Sequence, residues 1–215
     1  LAAKLRELAG ASADARLEFD GTTLVATDRG VAKRVDLAGL PADAAGLVVV
    51  AEASYDPPTK PLDERGQGEP YAQFGYGAHL VELEVDLDLG TVRLLRLTAA
   101  HDVGRAVNPG LVEGQVEGGV AQGIGLALME EYVPGRSENL HDYLIPSIGD
   151  VPEVVTILVE SNDPRGPFGA KGIGELPMDV VAPAIVDAIH DATGAWIDEL
   201  PATPERILAA LGVTA

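Results

Sequence analysis

Cysteine is absent from all 215 residues, which removes disulfides, thiolate zinc sites and cysteine-ligated iron–sulfur clusters from what this chain can build by itself. Bases are also scarce. Fifteen Lys and Arg stand against 34 Asp and Glu, a formal charge of −19 that repels the phosphates of a nucleic acid. No apolar run reaches the length of a membrane span and no signal peptide is visible, so a cytoplasmic protein that contacts neither membrane nor polynucleotide is expected. Aromatic residues make up only 4%, but a hydrophobic content of 47% is enough for an ordinary core in one large domain or two small ones. The four histidines, His79, His101, His141 and His190, share no metal-ligand spacing, so no protein-ligated metal is expected.

Periodicity and turn residues organise the chain. Residues 1–9 read as a helix with Leu1, Leu5 and Leu8 on one face, which fits continuation from an upstream part and a protease-trimmed start equally well. Arg16 to Phe19 and Thr22 to Ala26 flank Asp20-Gly21 as a hairpin, and Val31 to Val35 reads as a third strand. Leu47 to Ala53 reads as a strand buried on both faces, and the Pro/Gly-rich stretch Tyr55 to Tyr71 as a long loop. Apolar and acidic residues alternate from Val81 to Leu89, predicting a half-buried strand. Gly90 turns it into Val92 to Leu97, whose Arg93 and Arg96 are expected opposite its acids.

Pro109 to about Tyr132 reads as a helix despite Gly110, Gly114, Gly118, Gly119, Gly123 and Gly125. Each interior glycine costs up to about 1 kcal/mol relative to Ala, so close approach to the backbone is implied, by tight packing or by a ligand. Val154 to Glu160 is a further strand. A helix from Met178 to Thr193 follows, kinked at Pro183 or begun there, with Gly194 as its stop. Thr203 and Pro204 mark the N-terminus of the last helix, which buries Ile207, Leu208 and Leu211.

The densest chemistry lies in Gly169-Ala170-Lys171-Gly172-Ile173-Gly174-Glu175. Glycines at this density let backbone N–H groups approach a ligand, and a carboxylate at the end of such a loop suits a general base. Read alone, Glu175 could equally balance the dipole of the helix after it, and Lys171 could hold an anion or pair with one of the many acids. The nucleotide motifs fail: Gly123-x-Gly125 is followed by Leu128 where a third glycine is needed, and Lys171 is followed by Gly172 rather than Ser or Thr. The pair His101-Asp102 reads as structural, and no Ser or Cys nucleophile sits in an elbow motif.

Five stretches, in order, resemble the C-terminal part of the molybdenum-binding subunit of the xanthine dehydrogenase and aldehyde oxidase family, the molybdenum hydroxylases. They are His101 to Pro109, Gly114 to Gly123, Asp142 to Pro146, Gly169 to Glu175 and Pro201 to Glu205. The resemblance implies an α+β fold of mixed and antiparallel sheets with packed helices. Residues 1–46 would continue from a missing upstream part, and residues 47–215 would form the molybdopterin-binding catalytic domain. It implies molybdenum held by a pterin, the cytosine dinucleotide form being one alternative, with Glu175 taking a proton from a molybdenum-bound, water-derived hydroxyl that attacks an aldehyde or N-heterocycle. Gly118, Gly119, Gln122, Lys171, Gly172 and Gly174 match cofactor contacts.

A full family subunit is several times longer, so the resemblance also implies a companion chain carrying the upstream half, with flavin (FAD) and iron–sulfur units on partner chains. Alone, the chain is expected to be inactive. The alternative is a non-catalytic binding or assembly protein that keeps the fold.

Overall fold

A computed structural model describes residues 1–213 and divides them into two compact units, Leu1–Pro57 and Pro58 onward. In the first, helix α1 (Ala2–Leu8) lies with a three-stranded antiparallel sheet of β1 (Arg16–Asp20), β2 (Thr23–Asp28) and β3 (Val31–Asp36). The Asp20↔Thr23 pairing closes the expected hairpin across Gly21 and Thr22. Leu5, Ala9, Leu24 and Ala26 form its core, whereas Leu1 and Leu8 of the anticipated helical stripe are exposed.

Leu47 to Ala53 forms no strand. Asp43 is responsible: its Oδ1 accepts from the amides of Ala45 (2.9 Å) and Leu47 (2.8 Å), and the Asp43 amide donates to the Leu47 carbonyl. The start of the apolar run is thereby spent on a local turn, since short acidic side chains compete with ladder formation. Only Val49 reaches the core, while Leu47, Val48 and Val50 stay exposed.

The second unit is a mixed sheet with helices on one face. β4 (Tyr76–Val85) pairs antiparallel with β5 (Val92–Asp102), which pairs in parallel with β6 (Glu153–Val159); the crossover carries α2 (Pro109–Leu128). The alternation in β4 buries Val81, Leu83 and Val85 beneath the helices. β4 begins earlier and ends earlier than the alternation suggests, because the Asp86 carboxylate accepts from the amides of Asp88 and Leu89 and turns the chain before Gly90. Arg93 pairs with Glu84 (2.6 Å) as anticipated. Arg96 lies opposite Glu82 in register but bonds Glu153 on the other side (3.6 Å), because β5 is central and has two neighbours to choose from.

Asn108 caps α2 by accepting from the Leu111 amide, and Pro109 opens the helix where its missing N–H costs nothing. The anticipated Met178–Thr193 helix is two helices, α3 (Leu176–Asp179) and α4 (Val181–Thr193), with Pro183 in the first turn of α4 and Gly194 (φ 76°) ending it. Thr203 and Pro204 start α5 (Pro204–Ala210), as their types require. Val116, Val120, Ile124, Val181, Ile185, Ile189 and Ile207 meet Leu97 and Ala99 in one core.

The glycines of α2 divide into two classes. A Cβ on Gly119 would stand 2.7 Å from the Pro177 Cβ, and one on Gly123 would stand 2.7 Å from the Val181 Cγ2, so both let α2 press against α3 and α4. At Gly114 and Gly118 a Cβ would meet nothing within 4 Å. Two histidines also lie on the covered face of the sheet, with His79 and His101 in Nε2···Nε2 contact at 2.8 Å; His101 is fully buried and both Nδ1 atoms lack a partner among the described residues.

Gly123→Ala should therefore lower stability by roughly 1–3 kcal/mol through overpacking. Gly114→Ala should raise it by about 0.5–1 kcal/mol through helix propensity alone. Denaturant titration with hydrogen exchange across α2 reads both.

Burial, and next the charge of His101, lower the pKa of His79 to about 4, and burial lowers that of His101. The unfolded chain thus binds more protons than the fold between about pH 6.5 and 4, and stability falls as pH drops through that window. Replacing both histidines with Leu should flatten the slope; a slope that persists in the double variant assigns it to other groups.

Candidate active site

The loop after β6 is held to the sheet through Asp102, the last residue of β5. Its Oδ2 accepts from Lys171 Nζ at 2.7 Å, and its Oδ1 accepts from Ser161 Oγ at 2.8 Å and the Gly104 amide at 2.9 Å. Lys171 Nζ donates also to the Phe74 carbonyl (3.0 Å), joining the approach to β4 to the same knot. The Lys171 and Asp102 side chains are only 8% and 12% exposed, so this pair is shielded from water. Burial opposes the Asp102 charge, but the hydrogen bonds from Lys171, Gly104 and Ser161, together with the Lys171 charge, outweigh it and lower its pKa to about 2.

Backbone bonds complete the anchor. The Lys171 amide donates to the Val103 carbonyl (2.9 Å), and the Asn162 amide to the Gly104 carbonyl (2.9 Å). Gly104 has φ 65°, and a Cβ there would run into the Gly169 carbonyl, so only glycine permits this approach of the two loops. Gln73 adds a longer bond to the Ala170 carbonyl (3.4 Å).

Beyond the anchor the chain runs through Gly172 and Gly174, both exposed, where a Cβ would meet nothing within 4 Å. Glu175 follows at the start of α3. Its carbonyl accepts from the Met178 amide (2.9 Å), but its side chain does not cap the helix, is exposed, and has no hydrogen bond or ion pair among the described residues. The carboxylate is therefore not spent on the helix end.

α2 reaches the same place through Gly119, which abuts Pro177 and the Met178 amide nitrogen two and three residues after Glu175. Gly118 and Gln122 lie one turn apart on the neighbouring, solvent-open face of α2. The two segments singled out by sequence thus meet at α3, and their residues divide by role. Glu175, Gln122, Gly118, Gly172 and Gly174 remain open. Gly119 is used in helix packing, and the Lys171 ammonium is used by Asp102 and Phe74.

Asp102 was not singled out as an anchor by sequence. The one local hint was the Asp-Val-Gly spacing that lets its carboxylate accept from the Gly104 amide; its bond to Lys171 spans 69 positions. Among the described residues, no group of three or more His, Cys, Asp or Glu could hold a metal ion, and no helix is long and apolar enough to cross a membrane.

Removing one member of a shielded ion pair strands the other. Lys171→Met should cost about 3 kcal/mol, and Asp102→Asn/Lys171→Met together much less than twice that. Because the Asp102 pKa is depressed, the pair's contribution should be complete above about pH 4 and drain away as pH falls toward 2, a loss absent from the double variant in acid titrations of stability.

Known proteins resemble this chain in sequence and in fold. The profile of the molybdopterin cofactor-binding domain family matches residues 1–152, which include α2 but end before the Lys171–Glu175 loop. The chain is 41% identical over 164 residues to a probable xanthine dehydrogenase subunit of Bacillus subtilis, covering 74% of this chain and 22% of that protein. Among solved structures, it superposes on the aldehyde oxidoreductase of Desulfovibrio desulfuricans with a TM-score of 0.69 and 39% identity, over 71% of this chain and 17% of the other.

The carbon monoxide dehydrogenase of Oligotropha carboxidovorans extends the shared fold to 99% of this chain and 27% of its own, at a TM-score of 0.67 and 24% identity. The chain thus spans less than a quarter of the length of the Bacillus relative. By these likenesses it belongs to the molybdopterin cofactor-binding domain family of the molybdenum hydroxylases, oxidoreductases that include xanthine dehydrogenases and aldehyde oxidoreductases.

Proposed function

We propose that the chain forms one wall of the active site of a molybdenum hydroxylase that oxidises an aldehyde or an N-heterocycle, with Glu175 as general base. The observation that carries the reading is the exposed, unpartnered Glu175 carboxylate at the start of α3, the short helix on which Gly119 of α2 packs, just after a loop anchored through Lys171. A general base must be free to meet its proton and fixed enough to meet it repeatedly. Glu175 has no partner among the described residues, and the chain is tied down by Lys171 before it and by α3 after it.

The residues present fit a molybdenum–pterin group. The open backbone at Gly118, Gly172 and Gly174 can approach a flat heterocycle without a Cβ between, and the Gln122 amide offers both a donor and an acceptor to it. Gly119 and Lys171 would then support the site from behind, the first through helix packing and the second through the anchor. When bound, the group supplies the oxidising centre. Glu175 would take the proton from the water-derived oxygen as that oxygen bonds to the electron-poor carbon of the substrate, whose hydride would leave to the oxidising centre.

The rest of the site requires a companion polypeptide corresponding to the remainder of the relatives' length, and the chain alone is inactive in this reading. With no cysteine here, cysteine-ligated iron–sulfur clusters lie outside this sequence, and in this reading the flavin does so as well. Glu175→Gln in the assembled enzyme should lower kcat by about 10²–10⁴ while molybdenum content, read by metal analysis, stays unchanged. Unchanged turnover would indicate instead that the chain serves binding or assembly.

A further inference from the structure

The face of the β4–β5–β6 sheet that carries no helices changes character halfway along. At its outward positions β4 runs Tyr76, Ala78, Leu80, then Glu82 and Glu84. The register places Leu80, Ala78 and Tyr76 in line, across β5, with Val155, Ile157 and Val159, and places Glu82 in line with Arg96 and Glu153. One half is polar, as a solvated face should be. The other presents side chains that belong in a core, with Leu80 63% exposed and Ile157 46%.

The apolar half adjoins the candidate site. Its last row, Tyr76, Asp102 and Val159, holds the carboxylate that anchors the Lys171 loop, and the Lys171 ammonium lies 5.3 Å from the Tyr76 ring centre. Three strands and about five residues make a patch of roughly 14 by 17 Å, or ~240 Å². A stable dimer of standard size buries about 800 Å² on each partner, so the patch is too small to hold a second copy by itself. It suits a layer that is held by other contacts as well.

We infer that this half-face packs against the part of the molybdenum subunit that the present sequence does not contain. That part corresponds to most of the Bacillus relative, of which the matched residues cover 22%, and in the proposed function it completes the site beside it. The inference rests on the proposed function for the existence of this partner. It adds where the partner docks: on the Leu80–Ile157 surface, reaching the Lys171 anchor from outside. The row Glu82, Arg96 and Glu153 marks the edge of the contact, where charge returns to solvent.

The test is photocrosslinking in the native assembly, with a photoreactive amino acid at position 80 or 157 and, as control, at Asp187, an exposed residue of α4. Crosslinks from 80 and 157, and not from 187, to peptides aligning with the remainder of the relatives support the inference. Crosslinks to a second copy of this chain, or none from 80 and 157 in an intact assembly, overturn it. Leu80→Asp/Ile157→Asp should weaken assembly about 100-fold, since an unpaired carboxylate would be buried, and leave hydrogen exchange in β5 of the chain unchanged. Undiminished assembly of this variant would overturn the docking site. Molybdenum loading and Glu175-dependent turnover are read separately, so the docking site can fail while the proposed function stands.

Discussion

The shielded pair of Asp102 and Lys171 is the constraint on which the functional half of the molecule depends. One carboxylate at the end of the central strand accepts from Lys171, Ser161 and the Gly104 amide, while Lys171 also reaches the Phe74 carbonyl. Four separate stretches of chain therefore converge on a single charge: the lead-in to β4, the turn after β5, the segment after β6 and the glycine loop. Without it, a segment rich in glycine and proline would have little apolar surface to fix its path. Fully satisfied polar networks rigidify and specify a conformation, and this one holds the chain at Lys171, four residues before Glu175.

Glycine serves opposite ends on the two sides of α2. At Gly119 and Gly123 the missing Cβ is filled by Pro177 and Val181, so the helix lies closer to α3 and α4 than any other residue would permit. At Gly114 and Gly118 the same absence is left open to solvent. Helix propensity is lost at all four positions, but only the buried pair recovers it through contacts within the chain. The cost at the open pair is offset by no contact at the missing Cβ among the described residues, and that imbalance directs attention to a ligand or partner.

Local signals made much of the fold legible. The Asp20-Gly21 hairpin, the Thr203-Pro204 helix start, the Gly194 stop and the alternation in β4 each depend on residues within a few positions of one another. Distant or competing bonds decided the rest. Leu47 to Ala53 has the composition of a strand, but the Asp43 carboxylate claims its first amide. Arg96 faced two acids and took Glu153, from a strand that joins the sheet only after α2. Of the candidate site, the residue types were readable, whereas the choice of Lys171 among 34 acids was not, because Asp102 lies 69 positions away and is marked by no pattern except Gly104.

The distribution of satisfied and unsatisfied groups carries the last step. Around the glycine loop the strongly polar groups that could stabilise the fold are consumed internally, down to the Phe74 carbonyl and the Ser161 hydroxyl. The groups left open, Glu175, Gln122 and the backbone at Gly118, Gly172 and Gly174, cluster about one short helix, and the apolar half-face of the sheet ends at the same anchor. Open groups next to a loop tied down by a shielded ion pair are what the proposed half-site would need: a wall that holds its geometry before the opposite wall arrives.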